Sequence, residues 1–258
     1  KLELGKVNMS TSVKHIGEKL NVASILRNNL VFLIALTVGI IGLFANGMNA
    51  NFVSDDYATL LNNPEITTWK YAFQNGGSAY IINTLVAKIF GVTPLFYHLS
   101  SLVLYLISGY LAFVLIYYLF DKTISYLTMS LFAVAPIHVE AVTWISGRPY
   151  LLIAIYVLLA VIFFIKYLET EKWQYLIGFG LSFLLGFLTD NPRPFSLFLI
   201  MPLLLILKNI DIRKYKLFKY WPWLLILITT AVFMAWPNIM SRINAVNFGT
   251  NASESVFY

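Results

Sequence analysis

The 258-residue chain is 59% hydrophobic and only 12% charged, about half the charged share of a soluble domain, which excludes an ordinary water-soluble globule. It contains no cysteine, so neither a disulfide framework nor a thiolate metal site is available. The net charge of +6 gathers in alternate loops, which speaks for membrane topology rather than for nucleic acid as a partner.

Residues 1–28 are polar and basic, with a weak helical pattern in Val13, Ile16, Leu20, Val22 and Ile25. They read as a cytoplasmic N-terminal segment that anchors topology. The run from about Asn28 to Ser54 has no charged residue, and 18 or more such residues predict a spanning helix, here at about 29–48. Further spans are expected at about 94–120, 123–139, 150–166, 173–189, 194–208 and 220–240. The fold class is therefore all-α, a polytopic membrane protein of about seven transmembrane helices. Residues 29–240 form the transmembrane module and 241–258 an outer-face segment. Lys and Arg concentrate in 1–27 and 208–219 and in the short turns on the same side, leaving Lys70, Lys88, Arg148, Arg193 and Arg242 opposite. By the positive-inside rule the N-terminus is cytoplasmic.

The first outer loop runs for about 45 residues, longer than a simple connection needs, and is therefore expected to be functional. It opens with Asn51-Phe-Val-Ser-Asp-Asp-Tyr57, two adjacent carboxylates where the first span leaves the lipid. Ile66, Trp69 and Phe73 then suggest a short surface helix. After Gly76-Gly77, a second one carries Ile81, Ile82, Leu85, Val86, Ile89 and Phe90 on one face, with Asn83, Thr84, Ala87 and Lys88 on the other. Both are expected to lie in the interface, roofing a lipid-accessible cavity.

The next outer loop, Ala135-Pro-Ile-His-Val-Glu-Ala-Val-Thr-Trp-Ile-Ser-Gly-Arg-Pro-Tyr150, brings His138, Glu140 and Arg148. In an extended segment His138 and Glu140 point the same way, and Glu140 could pair with Arg148. Leu188-Thr-Asp-Asn-Pro-Arg-Pro-Phe195 adds Asp190 and Arg193, the arginine held extended between prolines. Ionisable groups cost about 2.5–3.5 kcal/mol at the centre of a span, so a cluster near membrane depth is a functional-site hypothesis. Acids that could activate a nucleophile accompany arginines that could hold a phosphate. Trp221, Trp223 and Trp236 flank the last apolar run as an aromatic belt. No P-loop, dinucleotide fingerprint, nucleic-acid motif or internal repeat is present.

Phe52-Val-Ser-Asp-Asp-Tyr57, Asn63-Pro64, Phe90-Gly-Val-Thr-Pro-Leu-Phe-Tyr-His98 and Pro136-Ile-His-Val-Glu-Ala-Val-Thr-Trp-Ile-Ser-Gly-Arg148 resemble the membrane half of the transmembrane and tetratricopeptide-repeat O-mannosyltransferases. More broadly, they resemble the GT-C superfamily of membrane glycosyltransferases. The resemblance implies an active site on the outer face, with an acidic residue of the first loop at the reacting centre. The chain departs from that pattern in having Asp190-Asn-Pro-Arg-Pro194 in place of a Lys-Glu pair, and Gly77-Ser-Ala-Tyr80 in place of an arginine-proline pattern.

The expected reaction is transfer with inversion, in which a hydroxyl of an acceptor protein or glycan attacks the anomeric carbon of a polyprenyl-phosphate-linked sugar. Asp55 or Asp56 is the expected general base, His138 and Glu140 orient the sugar or base, and Arg148 and Arg193 offset the leaving phosphate's charge. Asp55 and Asp56 could alternatively hold Mg²⁺ or Mn²⁺ through hard oxygen ligands. The competing reading is a non-catalytic membrane scaffold or lipid-binding subunit of a larger membrane-protein complex. A transporter ranks last, because the ionisable residues collect at one face and not at the midplane.

Overall fold

A computed structural model describes residues 20–74, 77–189, 193–207 and Asp211. Lys1–Lys208 make one compact unit and Asn209–Tyr258 a second. The expected seventh span at 220–240 with its three tryptophans, the segment 241–258, residues 1–19 and Asp190 all lie outside the described residues.

The described residues are all-helical, with no strand among them. Two helices open the chain: α1 (Val22–Asn28), capped by the Asn21 side chain accepting from Ser24 N at 3.0 Å, and α2 (Leu30–Phe44). A tight 3₁₀ turn, Ala45–Asn49, continues α2, so together Leu30–Asn49 can reach across a hydrocarbon core of about 30 Å. The loop after Asn49 holds α3 (Trp69–Gln74) and α4 (Ser78–Phe90).

Pro94 sits in the first turn of α5 (Pro94–Leu119), where its missing N–H costs nothing. After the two-residue turn Phe120–Asp121, the Asp121 carboxylate caps α6 (Lys122–Val134) by accepting from Ile124 N at 2.8 Å. Next come α7 (His138–Thr143), α8 (Arg148–Thr170), α9 (Trp173–Leu188) and α10 (Leu197–Leu207). Glu171, in the left-handed region at φ 52°, ends α8 and reverses the chain so that α9 packs back along it.

Three described segments are long and apolar enough to cross a membrane: Leu30–Asn49, Pro94–Leu119 and Ile145–Thr170. The expected span at 123–139 is shorter than that. Its helix stops at Val134, because Ala135 precedes a proline and takes up an extended conformation, and His138 starts a separate helix.

The core comes in layers. Val114 of α5, Ala160, Val161, Ile162 and Ile165 of α8, and Leu197 and Leu204 pack together at one level. At another, Ile40, Phe44, Leu102, Tyr105, Ala133, Val142 and Leu151 join α2, α5, α6, α7 and α8. A third cluster positions the candidate site: Phe52, Leu60 and Ile66 of the acidic loop pack on Val86 and Ala87 of α4, Tyr97 of α5, and Ile145.

The two faces of α4 are unequally buried, and Val86 of the apolar face is enclosed as well. Asn83, Thr84 and Ala87, assigned to the polar face, are buried in the protein, whereas Leu85, Ile89 and Phe90 are exposed. For a helix between protein and lipid, the apolar stripe faces the lipid and the polar one faces partners within the bundle.

Candidate active site

The two carboxylates have different surroundings. Asp56 is fully buried, and its Oδ1 accepts from Ser146 N at 2.9 Å and Ser146 Oγ at 2.5 Å. Its Oδ2 accepts from Val53 N at 3.2 Å. Three donors on one carboxylate satisfy it in its buried setting and tie the acidic loop to the turn before α8. Asp55 is exposed, and its Oδ1 accepts only a long contact from Ser54 Oγ at 3.5 Å among the described residues. Ser54 itself has φ 49°, a left-handed conformation costing about 1–3 kcal/mol in a non-glycine residue. Downstream, a single wide turn, Tyr57–Leu61, closes with Asn62 N donating to Tyr57 O at 2.8 Å. Strain on one side and an anchored neighbour on the other hold Asp55 outward.

Arg148 is completely buried. It donates through Nη1 to Asn83 Oδ1, and through Nη2 to Tyr97 O at 2.9 Å and Ser100 Oγ at 2.7 Å. Longer contacts reach Ser101 Oγ, and the guanidinium lies 5.5 Å from the Tyr97 ring centre. The expected pairing with Glu140 is absent: Glu140 is exposed, and the only ion pair among the described residues is Lys166–Glu169. Arg148 thus clasps α4 and α5 to the start of α8 through neutral acceptors, because its planar fork can serve several oxygens at once.

His138 and Glu140 do not point the same way. They stand two apart on the helix α7, where successive residues turn by about 100°, so their side chains diverge. His138 is half-buried against Phe132 and Tyr105, with ring centres 4.2 and 5.5 Å away. That burial lowers its pKa below the ordinary histidine value, so the ring is neutral near pH 7.

Arg193 is exposed and lies 4.3 Å over the Tyr150 ring. Tyr150, Ile153, Ala154 and Val157 of α8 line, with Arg193 and Ser196, an open, mostly apolar hollow of about 520 Å³. Ser146, which holds Asp56, is two residues before α8, and Tyr150 is in its first turn. The N-terminal end of α8 therefore carries both the acidic loop and the hollow.

The donor set does not suit a divalent cation. No group of three His, Asp or Glu converges among the described residues, and the Asp56 oxygens already accept from Val53 and Ser146. Asp55 alone offers a single carboxylate.

Ser146 and Asn83 are the residues that sequence reasoning passed over. Ser146 stands inside a motif whose charged members drew the attention. Asn83 and Thr84 interrupt an apolar helix at membrane depth, a signal that polar partners face them from within the protein. The start of α4 meets the end of α9: Ser78 Oγ lies 3.1 Å from Thr189 Oγ1, and Gly77 packs against Leu188 O.

Comparison with known proteins gives consistent results. Residues 77–240 match the profile of the family described as dolichyl-phosphate-mannose-protein mannosyltransferase. The chain is 29% identical over 158 residues to Protein O-mannosyl-transferase Tmtc1 of Drosophila melanogaster, covering 52% of this chain and 18% of that protein. It is 28% identical over 161 residues to Protein O-mannosyl-transferase TMTC3 of Homo sapiens, covering 54% of this chain and 17% of that protein. The matches thus span less than a fifth of the length of those relatives. No solved structure matches.

Proposed function

The chain belongs to the dolichyl-phosphate-mannose-protein mannosyltransferase family of membrane glycosyltransferases, and on that premise we propose that it moves a sugar, mannose first among candidates, from a polyprenyl-phosphate donor to a hydroxyl of an acceptor protein or glycan on the outer face. The observation that supports this reading is that the first half of α8 borders an apolar hollow with Arg193 at its edge, while Ser146 just before α8 anchors Asp56, the neighbour of the exposed Asp55. An apolar surface ending in an arginine suits a lipid chain that ends in a phosphate.

In the proposed reaction the acceptor oxygen attacks the anomeric carbon from the face opposite the leaving group. The bond from that carbon to the phosphate oxygen breaks, inverting the centre. Asp55 takes the hydroxyl proton as the new bond forms. The polyprenyl phosphate departs with the electron pair, and Arg193 offsets the charge that develops on it. Asp56 does not react; its bonds to Ser146 hold Asp55 in place. Arg148, enclosed by Asn83, Tyr97, Ser100 and Ser101, holds the roof to the bundle and leaves the phosphate to Arg193. His138, half-buried, and Glu140, exposed, are assigned to contact the sugar or acceptor in this reading. No step passes through a metal ion.

The test is turnover in reconstituted membranes with polyprenyl-phosphate mannose as donor. Arg193→Ala should raise the donor KM about 10- to 100-fold, the loss of one charge-assisted contact worth about 1.5–3 kcal/mol. Equal KM values for wild type and variant would remove Arg193 from the donor site. No turnover with any lipid-linked sugar would favour the non-catalytic scaffold.

A further inference from the structure

The catalytic reading leaves His98 unused, although its side chain is among the most buried in the chain at 1% exposure. It lies in the first turn of α5, and its Nε2 is 3.1 Å from Ala50 O. A carbonyl can only accept, so Nε2 carries a proton and donates it to Ala50 O. Nδ1 is itself buried with no hydrogen-bond partner among the described residues.

Ala50 is the last residue before Asn51-Phe-Val-Ser-Asp-Asp-Tyr57. The segment carrying Asp55 is therefore held at both ends: upstream by His98 on Ala50 O, and downstream by Ser146 on Asp56. Between them Phe52 is buried edge-on against Tyr97, with ring centres 5.8 Å apart. Tyr97 adjoins His98, and its carbonyl receives Arg148 Nη2. Asp56 and Arg148 also lie within electrostatic reach of the His98 ring. One turn of α5 thus braces the acidic loop and the buried arginine together.

We infer that His98 is a positioning residue for the transfer reaction: by donating to Ala50 O it fixes the start of the segment that aims Asp55 at the acceptor hydroxyl. The inference rests on Asp55 being the general base as proposed above. A tether of five residues between two fixed points leaves little freedom for the carboxylate, whereas release at Ala50 would loosen Asn51 and Phe52, which lead into the turn that Val53 and Asp56 close around Ser54 and Asp55. Displacement of a catalytic group by about 1 Å costs up to about 100-fold in rate without removing a binding contact.

The experiment compares kcat and donor KM for wild type, Asp55→Asn, His98→Leu, His98→Gln and His98→Asn in the full chain, reconstituted with polyprenyl-phosphate mannose. Glutamine places its amide N–H near the Nε2 position, whereas asparagine falls short of Ala50 O. The expected result is a kcat about 10- to 100-fold lower for His98→Leu and His98→Asn with donor KM within about twofold of wild type, and recovery of most of that loss in His98→Gln. Should His98→Leu fail to fold, the asparagine and glutamine variants carry the same comparison. Equal losses in glutamine and asparagine, a change confined to KM, or wild-type kcat in the leucine or asparagine variant would each overturn the positioning role. With wild type active and Asp55→Asn inactive, those outcomes leave the proposed function standing. An inactive wild type would overturn both.

Discussion

Adjacent aspartates are usually discussed as one feature, yet here burial separates them. Asp56 has no exposure and three donors, whereas Asp55 is exposed beside a strained Ser54. Removing the charge from Asp56 weakens charge-assisted bonds worth about 1.5–3 kcal/mol, so Asp56→Asn should lower stability in detergent by about 2 kcal/mol, read as the shift in thermal midpoint. His138 provides a second residue-level prediction. Burial lowers its pKa in the folded state, so above the unfolded value of about 6.5 both states are neutral and stability is full. As pH falls through 6.5 toward the folded pKa, the unfolded chain takes up a proton that the folded one does not, and stability declines. The thermal midpoint should drop over that interval, and His138→Gln should flatten the drop; an unchanged slope in the variant would remove His138 as its cause. The sequence shows both aspartates but not their difference, because two of the three donors on Asp56 come from Ser146, ninety residues away.

At the scale of elements, α4 determines how the site is roofed. Its hydrophobic periodicity was readable, but periodicity shows only that two faces differ, not which solvent each one meets. Asn83 turns inward because Arg148 and the Tyr97 hydroxyl of α5 are there to meet it, a long-range fact that no local window contains. The start of α4 is equally constrained. Gly77 has φ 79°, and a Cβ there would stand 2.8 Å from Leu188 O. Gly77→Ala should therefore destabilise the fold by about 1–3 kcal/mol and, through the Ser78–Thr189 contact, disturb the lead into Arg193. A thermal midpoint equal to wild type would show that the α4–α9 junction adapts. Helix starts were easier to read, since Pro94, Asp121 and Pro149 mark α5, α6 and α8 by their own backbone chemistry.

For the whole molecule, composition alone settled the integral membrane class, and charge distribution supplied an orientation that the helices do not themselves record. Three long spans are present among the described residues, while α6, α9 and α10 are shorter apolar pieces around them. Hydropathy windows merge such pieces with their flanking turns, which is why 123–139 read as a single span. The absence of cysteine makes orientation directly measurable. A single cysteine at Ala58, exposed in the acidic loop, should react with a membrane-impermeant maleimide from the outer or lumenal side. One at Lys172, in the exposed turn between α8 and α9, should react only after permeabilisation. Labelling of both from one side would contradict the proposed topology, and with it an outer-face site.

The most direct measurement is the turnover of Asp55→Asn beside Asp56→Asn, with thermal midpoints taken on the same preparations. Asp55 as general base requires a loss of about 100-fold or more in kcat at an unchanged midpoint, and a structural Asp56 requires a lowered midpoint. Asp55→Asn turning over at the wild-type rate, in protein shown to be folded, would contradict the assignment of the reacting carboxylate.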